Sequence, residues 1–260
     1  INGQKIWTSR AAHSDYMLLL ARTAKPEDGV PRARCLTAFL IDMREAVGNG
    51  LDIRPIRAMV NHSTTEIYLD NLRVPAANMI GEEGQGLRYI LNGMNAERVL
   101  VASEAIGDGK YFTEKSVAYA NDRSVFGRAI GQNQAIQHPI ARAYGELQAA
   151  ELMVRQAAAL FDAGQECGEA ANLAKLLASE AAWKAADTCM QTHGGFSFAR
   201  DFQIERKWRE CRLFQIFAPR DVELAAYDAD ERRSLAEAPG LRVRLLALAP
   251  GQCVPWHVHT

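Results

Sequence analysis

The chain has 260 residues, 48% of them hydrophobic, with a formal net charge of −1, so it can bury a core for one large domain or two or three small ones. Its balanced charge offers no long-range field to draw it to nucleic acid or to an anionic membrane, and no apolar run approaches the roughly 18 residues that span a bilayer. The 5 cysteines are an odd number without C-x-x-C spacing, which argues for reduced thiols and against a disulfide framework.

The chain begins without methionine, in the strand-like "INGQKIWTS", and reads as if coding sequence upstream were missing. Residues Ile1 to Arg10 lack the regions of a signal peptide. From Asp15 to Pro75 the β-favouring segments "DYMLLLART", "CLTAFLIDM", "LDIRPI" and "TEIYLDNLRVP" alternate with turn signals, which predicts an antiparallel β region. From about Gly84 the period becomes helical, over Leu87 to Asn121, Asn133 to Ala163, Glu169 to His193 and Phe202 to Phe217. Four long helices joined by short loops predict an antiparallel four-helix bundle. After Ala218 a charged stretch leads into "LRVRLLALAPGQCVPWHVHT", which reads as the start of another domain. The predicted class is therefore α+β: a partial antiparallel β-domain over residues 1–83, a helical bundle over 84–218 and a truncated strand segment over 219–260.

Spacing alone yields few chemical candidates. "GEEGQG" at Gly81 to Gly86 looks like a dinucleotide loop, but it follows an antiparallel strand without a βαβ unit, so a β-to-helix turn is expected. "NHS" at Asn61 is a glycosylation sequon, common by chance. His13, His62, His138 and His193 show no metal-ligand spacing. In "NGMNAERVLVASEAIG", Glu97 shares a helix face with Ile90, Gly93, Met94 and Val101. A carboxylate on an apolar face needs a partner or a task.

Taken in order, "IWTS", "STTEIYLDNLRVP", "GEEGQG", "AERVLVAS", "DRSVFGRAIGQNQ", "QTHGGF" and "IERKWRECRLFQI" resemble successive landmarks of the acyl-CoA dehydrogenase family, from Ile1 to about Phe217. The resemblance implies FAD-dependent α,β-dehydrogenation of acyl-CoA thioesters by a homo-oligomer, usually a tetramer. It implies electrons passed to an electron-transfer flavoprotein, and a bacterial cytoplasm or mitochondrial matrix. By motif, Trp7, Thr8 and Ser9 would border the isoalloxazine, the Trp as a flat apolar wall and Ser9 through hydrogen bonds. Arg123 and Phe126 would hold the pyrophosphate, where a guanidinium matches phosphate oxygens, with Gln134 nearby. Gln191, Gly194 and Gly195 would meet the adenine and ribose side from a neighbouring subunit, so that Arg123 and Gln191 serve one cofactor only across a subunit boundary. Ser197 stands where the commoner "GG-x-G" has its third glycine.

In the family resembled, the base that removes the substrate α-proton is a Glu late in the chain or a Glu in an "ER" pair on the first bundle helix. Here the late segment reads "IFAPRDVE", with Ala218 at the Glu position, while Glu97 precedes Arg98. The pattern is similar to isovaleryl- and long-chain-type members and makes Glu97 the expected base, its pKa raised by partial burial. Gly93 would leave room for the acyl chain, Asn95 would stand near the pantetheine and Arg98 near the base. The competing expectation is that Glu97 merely pairs with Arg98 or an adjacent helix.

At the C-terminus, "PGQCVPWHVHT" resembles the first motif of the cupins, in which His257 and His259 would face one side of a strand. Two imidazoles make a weak metal site, and none is assigned. Three function classes thus stand: an acyl-CoA dehydrogenase, a flavin-dependent oxidase or monooxygenase relative on the same fold, and a non-catalytic oligomerising or metal-binding remnant.

Overall fold

The computed structural model describes residues 1–26, 29–60 and 63–216. The N-terminal part holds strands β1 (Gly3–Ser9), β2 (Tyr16–Arg22), β3 (Leu36–Asp42), β4 (Leu51–Pro55), β5 (Thr64–Leu69) and β6 (Met79–Ile80), with a single helical turn, α1 (Met43–Ala46), after β3. They make two three-stranded sheets ordered β1-β5-β4 and β2-β3-β6. Every pairing in them is antiparallel. Period-2 alternation puts Leu19, Ile41, Leu51, Ile67 and Leu69 on the inner faces, where they pack with Met43 and Leu72. Strand β6 was not expected, because two residues carry no readable alternation.

Helices α2 (Gly86–Asp122), α3 (Gln134–Asp162), α4 (Gly168–His193) and α5 (Ile204–Ile216) fall within two residues of the predicted spans at most ends. Lys110 pairs with Glu151 across α2 and α3, Lys184 pairs with Glu146 across α3 and α4, and Lys175 meets the Phe214 carbonyl across α4 and α5. These contacts place sequential helices antiparallel, in the up-and-down order that short loops dictate. The alanine-rich face of α4, including Ala171, Ala174, Ala178, Ala182 and Ala186, lets neighbouring helices approach closely, and α4 runs through the middle of the core. Phe112, Leu147 and Ile204 supply its bulk. Cys35, Cys167, Cys189 and Cys211 are buried free thiols.

The "GEEGQG" segment is a β-to-helix junction, as expected. A Cβ on Gly86 would lie 2.5 Å from the Ala38 backbone nitrogen, so only glycine lets the start of α2 seat on β3. The Gly84 N–H donates to Thr37 Oγ1 at 2.9 Å, and that hydroxyl also meets Thr23 Oγ1 at 2.7 Å. A second tie joins the sheets to the bundle, where Arg209 on α5 donates to the Met59 carbonyl oxygen at 2.9 Å. No helix among the described residues is long and apolar enough to cross a membrane. The sequon at Asn61, His62, Ala218, and the tail with His257 and His259 lie outside the described residues.

Candidate functional site

The "IWTS" segment lies on β1 at a bulge. Lys5 pairs with Ile67 and Thr8 with Thr65, so Ile6 and Trp7 together face one residue of β5. Trp7 sits at φ 62°, a left-handed conformation that a bulky residue adopts only under strain, at a cost of about 1–3 kcal/mol. The bulge turns the indole outward, 50% exposed. Thr65 Oγ1 donates to the Thr8 carbonyl oxygen at 2.8 Å and holds the distorted strand in place. Ser9 follows, exposed and paired with Thr64.

Glu97 lies on α2 and, contrary to the expectation of partial burial, is exposed. The physical reason is its position along the helix: the buried core on α2 begins at Ala102, and the turns before it project past that core. Its carboxylate is not tied to Arg98 among the described residues. Arg98 instead donates from Nη1 to Asn95 Oδ1 at 2.9 Å, so the simple Glu97–Arg98 ion pair is replaced by an Asn–Arg pair on the same helix. A Cβ on Gly93, one turn before Glu97, would meet nothing within 4 Å. The carboxylate is thus on an exposed turn that nothing crowds at Gly93.

Cations lie beneath this turn. Lys175 on α4 is 4% exposed and donates to the Phe214 carbonyl at the end of α5, at 2.5 Å. Burial, with Arg98 as a smaller cause, lowers its pKa to about 8. A lysine lowered in the fold leaves the unfolded chain binding more protons between that value and the ordinary 10.5, so stability rises with pH across this window. We expect the wild type to gain stability relative to Lys175→Met as pH climbs through the window, read from urea midpoints. A difference that stays flat with pH would show that the ammonium is not desolvated.

The residues expected at the pyrophosphate and adenosine end come together at the opposite end of α2. Arg123 follows α2 and opens a two-strand hairpin, β7 (Ser124–Val125) and β8 (Arg128–Ala129). Phe126 and Gly127, at φ 54° and 80°, form its two-residue turn, which needs the left-handed region at both positions. The turn leaves Phe126 fully exposed. Arg123, Gln191, Gly194 and Gly195 line one cleft of about 510 Å³, with Tyr119, Val125, Ile130, Thr192, His193 and Phe196. Within one chain Arg123 and Gln191 already share this cleft. The ends of α2 and α4 run side by side, with Tyr119 stacked on His193 at 4.2 Å, and bring both residues to the same cleft of one chain. Gln134, the first residue of α3, is exposed and does not line that cleft.

The loop departing from "GG-x-G" has a defined shape. Gly194 caps α4 at φ 57° and ψ −133°, and its N–H reaches back to Gln191 and Met190 carbonyls. Ser197 is buried and donates from Oγ to the Gly194 carbonyl oxygen at 2.6 Å, closing the turn that a third glycine would leave open. Tyr119, Thr192 and His193 were not singled out from the sequence. Their signal was weak, since an aromatic or polar residue at the end of a helix is usually core or cap.

Residues 1–72 match the family description "Acyl-CoA dehydrogenase, middle domain" and residues 84–218 match "Acyl-CoA dehydrogenase, C-terminal domain". The chain belongs to the acyl-CoA dehydrogenase family. An "Acyl-CoA dehydrogenase" of Bacillus subtilis is 34% identical over 218 residues, 84% of this chain and 56% of that protein. "Caffeyl-CoA reductase-Etf complex subunit CarC" of Acetobacterium woodii is 30% identical over the same shares. Among solved structures, "PigA with FAD and proline" superposes with a TM-score of 0.77 at 27% identity, covering 84% of this chain and 56% of that one. The chain thus spans about half the length of the curated relatives it matches.

Acyl-CoA dehydrogenases use FAD, and the cleft suits the dinucleotide end of that group. Arg123 supplies a fixed cation for phosphate, Gln191 an amide that both donates and accepts, and the Gly194-Gly195 pair a cradle in which an added Cβ meets nothing within 4 Å on either residue. Trp7 and Phe126 add exposed aromatic surface.

Proposed function

We propose that this chain is part of an FAD-dependent acyl-CoA dehydrogenase that introduces an α,β double bond into an acyl-CoA thioester, with Glu97 as the base. The observation that carries the reading is the open carboxylate of Glu97, one turn from the unfilled space at Gly93. A base must touch the carbon acid it deprotonates, so an exposed carboxylate beside room for an acyl chain suits the task. When bound, FAD supplies the acceptor for the β-hydrogen and its electron pair. Trp7, Thr8 and Ser9 wall the redox-active ring. Arg123 and Phe126 hold the pyrophosphate side, and Gln191, Gly194 and Gly195 take the adenosine. Arg98 keeps Asn95 in place beside the base, where both meet the thioester end of the substrate. Covering the carboxylate with substrate removes water from around the base.

The partner we assign is an electron-transfer flavoprotein, a reading supported by the relative named as a subunit of a reductase–Etf complex. A second reading, a flavin-dependent oxidase on the same fold, is favoured by the likeness to "Crystal Structure of the Prolyl Acyl Carrier Protein Oxidase AnaB", 27% identical with a TM-score of 0.77 over 84% of this chain and 56% of that one. It is separated by fast reaction of the reduced cofactor with oxygen.

The first test is cofactor affinity. Small-molecule sites enclose about 70–90% of their ligand, whereas Trp7 and Phe126 stand open here. FAD therefore binds the 260-residue chain weakly and binds tightly to a chain extended to the length of its relatives, because ordering costs must be offset by enclosure. Fluorescence titration of both chains reads the difference. Tight, stoichiometric binding by the short chain would overturn the enclosure argument, and no binding by the extended chain would overturn the FAD reading.

A further inference from the structure

Two departures from a satisfied core fall together where α2, α4 and α5 meet. Asn172 on α4 is 6% exposed, and its Oδ1 has no hydrogen-bond partner among the described residues. One turn further along α4, Lys175 buries its ammonium and donates to the Phe214 carbonyl oxygen. Phe214 stands near the end of α5, so its carbonyl is one of the last four for which a helix has no partner of its own. A lysine from a neighbouring helix thus caps α5.

Both residues lie on the face of α4 against which the turn carrying Glu97 rests. Gly168, Asn172 and Lys175 follow the i, i+4, i+7 spacing of one helix face. A Cβ added to Gly168 would lie 3.9 Å from Asn95 Nδ2, which puts the start of that face against α2. Arg98, bonded to Asn95 Oδ1, is near enough to Lys175 to act on its charge. Glu97 lies between Asn95 and Arg98 in the chain, so its turn and the end of α5 are both held to one strip of α4. Burying an ammonium beside a guanidinium costs stability, and the Lys175 pKa falls to about 8 in consequence. A packed apolar side chain would serve the core at least as well. Charged groups displaced in this way gather at functional sites.

We propose that Lys175 is a positioning residue for the reaction, which ties the end of α5 and the Asn95–Arg98 turn to a common seat on α4 and so sets where the Glu97 carboxylate meets the substrate. The inference rests on the reading of Glu97 as the base and deepens it. At 4% exposure the ammonium acts through the backbone it holds and not by contact with the substrate. A base displaced by about 1 Å can lose about 10²-fold in rate with its own chemistry intact.

The test uses a chain extended to the length of its relatives and loaded with FAD, with flavin reduction by a saturated acyl-CoA followed by rapid mixing. Lys175→Met keeps the reach of the side chain but loses the donor, and is expected to reduce flavin about 10–100-fold more slowly while acyl-CoA binding is unaltered. The same change made in a Glu97→Gln chain should slow it no further, since a residue that acts through the base then has nothing left to position. A merely structural lysine would slow both chains alike. Lys175→Met that reduces flavin at the wild-type rate, or that slows the Glu97→Gln chain by the factor seen in the wild type, overturns the inference and leaves the base reading standing. Glu97→Gln that itself keeps the wild-type rate overturns the base reading and this inference with it. Lys175→Gln, a shorter and uncharged donor, repeats the comparison where Lys175→Met does not fold. It is expected to slow the wild type several-fold and the Glu97→Gln chain not at all, and equal slowing of both, or of neither, rules the positioning role out.

Discussion

Glu97→Gln, in a chain extended to the length of its relatives and loaded with FAD, should slow reduction of the cofactor by a saturated acyl-CoA by roughly 10²–10⁴-fold or more, the usual contribution of a positioned base, while acyl-CoA binding survives. Gln keeps the size and the hydrogen-bonding capacity of Glu but cannot take a proton. Glu97 is exposed and no ion pair holds it among the described residues, so the substitution removes no buried partner and should barely change stability. That separation makes the test clean. A fall in rate with unaltered thermal unfolding and unaltered binding is the signature of a base, because the interaction lost exists only as the α-proton moves. Rapid-mixing measurement of flavin bleaching decides it. If the variant reduces its flavin at the original rate, Glu97 is a surface residue and the base lies elsewhere.

The largest effect on stability is expected at Phe112, not at any residue of the site. Its side chain is 0% exposed in the helical core, where it packs with Leu147 and meets Tyr111 edge-on, ring centroids 5.6 Å apart. Phe112→Ala deletes a ring from the middle of α2 and leaves a cavity that the neighbouring helices cannot close without moving α4, so about 3–5 kcal/mol should be lost. Chemical denaturation followed by helical circular dichroism measures it. A loss of about 0.5 kcal/mol, the size of a surface substitution, would mean that the core is not centred on this ring. The consequence for function is indirect. Helix α2 carries Glu97 before the core and Arg123 after it, so loosening its middle disturbs both ends together.

The oxidase reading and the dehydrogenase reading share the fold and differ in what happens to the reduced cofactor. Access of oxygen to the ring that we propose Trp7 borders is the variable that separates them. The bulge that exposes Trp7 is common to both.

What the sequence determined by itself was the order and type of the elements. Period 2 from Asp15 to Pro75 and period 3.6 after Gly84 survive folding because each strand and helix buries one face, and that face must be written locally as apolar residues at fixed spacing. The glycines of "GEEGQG" and the "DRSVFG" and "QTHGG" motifs were readable for the same reason, since a backbone conformation or a close approach is a local demand. Three things were decided only by tertiary structure. The burial of Glu97 was expected from its helix face, but exposure depends on where the neighbouring helices stop, and the buried core on α2 starts at Ala102. The meeting of Arg123 and Gln191 in one cleft depends on α2 and α4 ending side by side, a relation between segments almost seventy residues apart that no local period encodes. His193 shows the same limit: alone it is a helix-end histidine, and its ring is fixed only by the Cys189 carbonyl one turn back and by Tyr119 from another helix.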